Sequence, residues 1–169
     1  MKSNALRPIF LLVSGLTLLF LAVAGCSNPT SYKIPDTICG RNIDPSALEP
    51  LLPSGQHFEA VHETDDYESE CAISVDKSEV LLIQEFRDQN KSDIRSTRMD
   101  NPKPSDVGEE AMTSDNWLIS MNSCPRRGKY YFLDVIITAN GVTEAKPKEL
   151  EEFARTYLPE GLKKMGCTS

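Results

Sequence analysis

The chain has 169 residues, a formal charge of −7 and an apolar content of 40%. That is enough for one domain with its own core. The acidity excludes the basic footprint that binding to nucleic acid or lying flat on anionic lipid demands.

The first 25 residues read as an export signal. Lys2 and Arg7 form a basic start without any acid, and an apolar stretch of 16 residues runs from Ile9 to Ala24. A bilayer-spanning helix needs roughly 20, so the layout fits a secretory signal peptide better than a membrane span. The segment ends Val23-Ala24-Gly25-Cys26. This tetrapeptide resembles the lipobox of bacterial lipoproteins: an aliphatic residue, two small residues, then cysteine. The resemblance implies a diacylglyceryl thioether on the Cys26 thiol and cleavage between Gly25 and Cys26. The competing reading is an ordinary signal peptide with a chance cysteine at its edge. Each buried methylene contributes about 0.8 kcal/mol and one chain alone holds only marginally. Two chains on Cys26 would therefore anchor the protein without help from its surface, on the outer face of the cytoplasmic membrane. Cleavage removes Lys2 and Arg7 and no acid, so the mature 144 residues carry −9.

Ser27 to Ile38 is short and polar with Pro29 and Pro35, and residues 26–38 read as a tether before a single domain over 39–169. Asp44-Pro45 opens a short helix, Asp44 as N-cap and Pro45 at its first position. Gln56–His62 is a weak strand. Glu70–Val75 alternates, with Cys71, Ile73 and Val75 on one face, and Asp76-Lys77-Ser78 makes a tight hairpin into the apolar Glu79–Phe86. Asp88 to Val107 carries four acids, four bases, Pro102 and Pro104. It reads as a long loop, mobile in preference to a binding loop. Glu110–Thr113, Trp117–Asn122 and Tyr130–Thr138 are strands. In the last, Tyr131, Leu133, Val135 and Ile137 face the core, while Asp134 and Thr138 face away. Leu150, Phe153, Ala154, Tyr157, Leu158, Leu162 and Met165 recur at helical spacing. Pro147 opens that helix, and Pro159 is expected to kink or split it. The expected fold is α+β: an antiparallel sheet of five or six strands packed against an N-terminal short helix and a C-terminal helix.

Besides Cys26 there are four cysteines: Cys39, Cys71, Cys124 and Cys167. An even set in an exported chain reads as two disulfides. The spacings contain no C-x-x-C pair, which argues against a metal or redox site. Cys39–Cys71 with Cys124–Cys167 staples each helix end to the sheet. Cys39–Cys124 with Cys71–Cys167 is the alternative.

Chemistry-bearing patterns are scarce. There is no G-x-S-x-G, G-x-G-x-x-G, P-loop or H-E-x-x-H, and only two histidines. His57, Glu59 and His62 are weak metal candidates, with a solvated strand end as the bland reading. Asp65-Asp66 and Glu109-Glu110 could be paired acids, but such pairs arise by chance in a chain with 25 acids. Tyr130 and Phe132, pointing opposite to Tyr131, are candidate contact residues beside Trp117. No catalytic residue and no cofactor is expected. The functional expectation is a lipid-anchored envelope module that binds a protein or ligand. The alternatives are a carrier of a lipid or other hydrophobic ligand, and a metal-binding envelope protein.

The lipobox, Cys39 ahead of Asp44-Pro45, Leu51-Leu52, the run Glu70-Cys71-Ala72-Ile73-Ser74-Val75, the segment Gly108-Glu109-Glu110-Ala111 and the ending Leu162-Lys163-Lys164-Met165-Gly166-Cys167 together form a pattern. It resembles small streptomycete-type lipoproteins of actinobacteria with four mature cysteines. The resemblance implies a Gram-positive, high-GC host and an α+β domain, and it implies no activity.

Overall fold

The computed structural model describes residues 31–92, 94, 99–125 and 129–168. The export signal, Gly25 and Cys26 lie outside the described residues.

From Ser31 onward the chain belongs to the domain. The Ser31 amide donates to the Gly55 carbonyl at 3.0 Å and the Tyr32 hydroxyl to that of Pro53 at 2.7 Å, while Ile34 and Ile38 are buried. The stretch expected to act as a tether up to residue 38 is thus packed over its second half. It leads into a two-stranded ribbon, β1 (Thr37–Ile38) and β2 (Arg41–Asn42), turned through Cys39 and Gly40 at positive φ. Helix α1 (Pro45–Leu48) follows. Its N-cap is Asp44, whose carboxylate accepts from the Ser46 amide at 2.9 Å.

The remaining strands are β3 (Phe58–Thr64), β4 (Glu68–Val75), β5 (Ser78–Gln89), β6 (Lys103–Ser105), β7 (Glu110–Thr113), β8 (Trp117–Cys124) and β9 (Lys129–Ile137). They form one antiparallel sheet in the order β3-β4-β5-β9-β8-β7-β6. The seven strands exceed the five or six expected because of β6. Pro104 argued against a strand there, but β6 is an edge, where proline's missing N–H breaks no ladder. The β4–β5 hairpin turns through Asp76 and Lys77, both at positive φ, as a two-residue turn matched to strand twist requires.

Residues 88–107 are not one loop. β5 runs through Asp88 and Gln89, β6 takes 103–105, and Val107 is fully buried. Helix α2 (Pro147–Lys164) is a single helix with Pro159 inside it. The expected split does not occur. Pro159 lies on the exposed side of the helix, where water can satisfy the carbonyl left without a donor.

Both helices pack on one sheet face. Leu48 of α1 and Leu150, Phe153, Ala154 and Tyr157 of α2 join Ile73, Leu81, Ile83, Leu118, Leu133 and Val135 in the main core. Each side chain buried this way contributes about 1.5–3 kcal/mol. The disulfides join Cys39 to Cys71 and Cys124 to Cys167. The first ties the ribbon to β4. The second ties the end of β8 to the chain just past α2.

Candidate functional site

Two arrangements of polar groups stand out, one on each sheet face. Alternation along β5 turns Leu81, Ile83 and Glu85 toward the helices, so a carboxylate sits among core side chains. Glu85 is 1% exposed. The Arg41 guanidinium, carried by β2, meets it at 2.7 Å through Nη2 and 3.4 Å through Nε. The Tyr131 hydroxyl donates to one carboxylate oxygen at 2.9 Å and the Tyr157 hydroxyl to the other at 3.1 Å. Arg41 also donates to the Ser69 hydroxyl at 3.3 Å, and His62 Nε2 lies 3.0 Å from that hydroxyl. Burial first, and the Glu85 charge second, push both phenols well above their usual range. They therefore remain protonated donors. Gly161 lets α2 approach closely enough for this, since a Cβ there would collide with the Tyr131 hydroxyl. Both oxygens of Glu85 are occupied from within the chain, so the cluster locks ribbon, sheet and helix together.

The opposite face is built differently. Its cross-strand rows follow from the register. One row is Glu68–Phe86–Phe132–Met121–Glu110. The next is Glu63–Glu70–Gln84–Asp134–Ile119–Met112, and a third is Val61–Ala72–Leu82–Ile136–Trp117. Ile94, from the segment after β5, packs on Met112, Ile119, Met121 and Phe132, with Phe86, Met99 and Tyr130 beside them. No residue of α1 or α2 belongs to this second cluster. Phe132 is therefore buried, contrary to its expected exposure, because it packs in one cluster with Ile94 and Met99.

Asp134 occupies the centre of this face on β9. Phe132 and Ile136 flank it along the strand, with Gln84 and Ile119 across from it. Its Oδ1 is buried with no hydrogen-bond partner among the described residues, and the same holds for the Trp117 indole N–H. Gln84 does not serve it, because the Gln84 amide donates to Glu70 at 2.8 Å. Burial pushes the Asp134 carboxyl up to about 7. A pocket of about 320 Å³ opens beside it, lined by Phe86, Gln89, Asn90, Ser92, Phe132 and Asp134.

The raised value sets a pH dependence. An ordinary unfolded Asp titrates near 4, so between about pH 4 and 7 the folded state holds a proton that the unfolded state has released. Stability therefore falls as pH rises through that window. We expect Asp134→Asn to stabilise the domain by about 2–4 kcal/mol at pH 8, with the gain vanishing near pH 4. Urea melts of both proteins at the two pH values check this, and an equal effect at both would refute it.

The other residues singled out from sequence are dispersed. His57 lies 3.3 Å from Asp76 on the solvent side, and Glu59 and His62 project to opposite faces of β3. Among the described residues no three His, Cys, Asp or Glu groups are placed to hold a metal. Asp65 caps its turn by accepting from the amides of Tyr67 and Glu68 at 2.6 and 2.8 Å, which holds its carboxyl low. Glu109 accepts from Ser123 at 2.7 Å and Glu110 pairs with Lys91 at 3.1 Å. Gly108 is at positive φ against the Asn122 side chain, which accepts from the Glu109 amide at 3.0 Å.

The chain matches no protein-family model, no curated protein and no solved structure.

Sequence reading missed both arrangements. Glu85 stood at an inward position of a recognised strand, and that was the available signal. Asp134 was placed on the outward face, but nothing in the sequence said that this face is half covered.

Proposed function

We propose that the protein is a lipid-anchored, extracytoplasmic binding module, held by Cys26 at the outer face of the cytoplasmic membrane and working by recognition without catalysis. The observation that carries the binding half is the sheet face away from α1 and α2, where the Asp134 carboxylate oxygen and the Trp117 indole N–H are buried without a hydrogen-bond partner among the described residues and the carboxyl adjoins Phe86 and Phe132 in a pocket wall. Buried polar groups in native proteins are almost always satisfied, and leaving one unmade costs about 1–3 kcal/mol. A fold that retains two such groups on one face, the carboxyl in the wall of a pocket, has the make-up of a binding site. Supporting the anchoring half are the Val23-Ala24-Gly25-Cys26 tetrapeptide behind a basic start and apolar core, and two disulfides of the kind exported domains carry. The likeness to actinobacterial lipoproteins points the same way. Partners on this reading are the membrane, through lipid alone, and an envelope component met at the second sheet face.

Two measurements test the halves separately. Cys26→Ala should move the protein from the membrane fraction to the soluble fraction or stall its processing. Unchanged mass and unchanged membrane retention would sink the anchor. A photo-crosslinking residue at Gln89, on the pocket rim, should capture a discrete envelope component on intact cells, while the same residue at Lys148 on α2 should not. Equal capture at both positions would count against the assigned face.

A further inference from the structure

We propose that the pocket on the second sheet face is a site for a primary ammonium group carried on a short apolar body, the ammonium set against Asp134 and the body against Phe86 and Phe132. The inference deepens the binding reading above and rests on it.

The chemistry follows from what lines the pocket. Asp134 is an acceptor whose Oδ1 has no partner among the described residues, and a carboxylate oxygen without a donor is best completed by a charged N–H, the strongest class of hydrogen bond available to it. Phe86 and Phe132 are cross-strand neighbours on β5 and β9, and both line the pocket. Aromatic faces attract cations and cover alkyl or aryl groups equally well. Glu70 and Glu63 continue the row beyond Gln84, so the local field also favours a cation. The two lysines at the rim are already engaged: Lys129 donates to Asn90 at 2.6 Å and Lys91 pairs with Glu110 at 3.1 Å. A pocket of about 320 Å³ lies at the small end of the range for organic ligands. An anion would meet the Asp134 carboxyl, a group of like charge, in the pocket wall. A wholly apolar ligand would leave the carboxylate as unsatisfied as before. An ammonium removes the cost of the unsatisfied oxygen with a charge-assisted bond, roughly twice as strong as one from a neutral donor.

The source is either a free small amine or the side chain of a lysine on another protein, since both present the same group. Trp117 provides the readout. It is the only tryptophan in the chain and lies diagonal to Asp134 on the same face.

The test is a titration of the mature chain in detergent micelles with 2-phenylethylamine, followed by Trp117 fluorescence. The neutral 2-phenylethanol and Nα-acetyl-lysine methylamide form parallel arms. A saturable change with the amine, at least about tenfold weaker with the alcohol, is the expected result. Asp134→Asn should abolish the preference for amine over alcohol while leaving the fold intact, because it removes an unpaired charge. Phe86→Leu should weaken amine binding severalfold. Tighter binding of the lysine derivative than of the free amine assigns the site to protein lysines, and the reverse assigns it to small amines. Equal binding of amine and alcohol, or amine binding unchanged in Asp134→Asn, overturns the proposal. Capture of a partner at Gln89 together with such a failure would leave the binding module standing and refute only the ammonium.

Discussion

Reduction of both disulfides is expected to unfold the domain or to lower its melting temperature by about 20–30 °C. Cys39–Cys71 closes a loop with a sequence separation of 32 and Cys124–Cys167 one of 43. In the loop-entropy model each restricts the unfolded chain by an amount worth about 4 kcal/mol. The loops do not overlap in sequence, so the two effects add to roughly 8 kcal/mol. A domain of this size has a net stability of about 5–15 kcal/mol, and each kcal/mol moves the midpoint by about 2–5 °C. The native state also depends on what the bonds hold. Cys39–Cys71 carries the ribbon that places Arg41 against Glu85, and Cys124–Cys167 fastens the end of α2 to β8. Thermal melts with and without a phosphine reductant measure the total. The Cys39→Ser/Cys71→Ser and Cys124→Ser/Cys167→Ser variants apportion it. A melting temperature unaffected by full reduction would show that the core alone holds the fold.

The disulfide pairing was legible because it depends on element ends, and element ends follow from local signals. Asp44 and Pro45 mark the start of α1. Period-two alternation in Glu70–Val75 turns Cys71 inward beside Ile73 and Val75. Helical spacing carries α2 to Leu162, just short of Cys167. The same periodicities located β4, β5, β7, β8 and β9. What stayed hidden depends on tertiary neighbours. A two-residue strand such as β2 has too few positions to show a period, so nothing local placed Arg41 against β5. Lys103-Pro104-Ser105 forms a strand only because the edge of β7 is free to receive it. Phe132 and Asp134 alternate outward, and outward normally means solvated. Ile94, at 2% exposure, and Met99 pack in the cluster that holds Phe132, and both come from an otherwise polar stretch of sequence. The candidate site was therefore invisible for the reason the loop looked mobile: an isoleucine and a methionine five residues apart do not make a pattern.

Arg41→Ala is expected to destabilise the domain by about 3–5 kcal/mol, the usual penalty for stripping one partner from a buried ion pair. Removing the guanidinium takes the contacts at 2.7 and 3.4 Å from Glu85 and leaves the carboxylate with two phenol donors. Those donors are neutral, and a dry site cannot screen the remaining charge. Ser69 also loses its Arg41 partner, although His62 at 3.0 Å can still serve it. The loss comes chiefly from the stranded charge and much less from packing, so Arg41→Ala combined with Glu85→Gln should recover part of it. The amide oxygen still accepts from one of the two phenols, while the amide nitrogen takes the place of the oxygen that the other phenol used. That nitrogen is a donor and then wants a partner, and recovery should stay incomplete. The ribbon links this cluster to the first disulfide, because the Arg41 guanidinium also donates to the Cys39 carbonyl at 3.1 Å. The Arg41→Ala and Cys39→Ser/Cys71→Ser effects should therefore fall short of additivity, since releasing the ribbon already withdraws Arg41. Denaturant melts of the single and combined variants decide the matter. A cost under about 1 kcal/mol for Arg41→Ala, as for an exposed pair, would mean that water reaches Glu85 and that the cluster is not a lock. Full additivity with loss of the disulfide would mean that the ribbon stays in place without its bond.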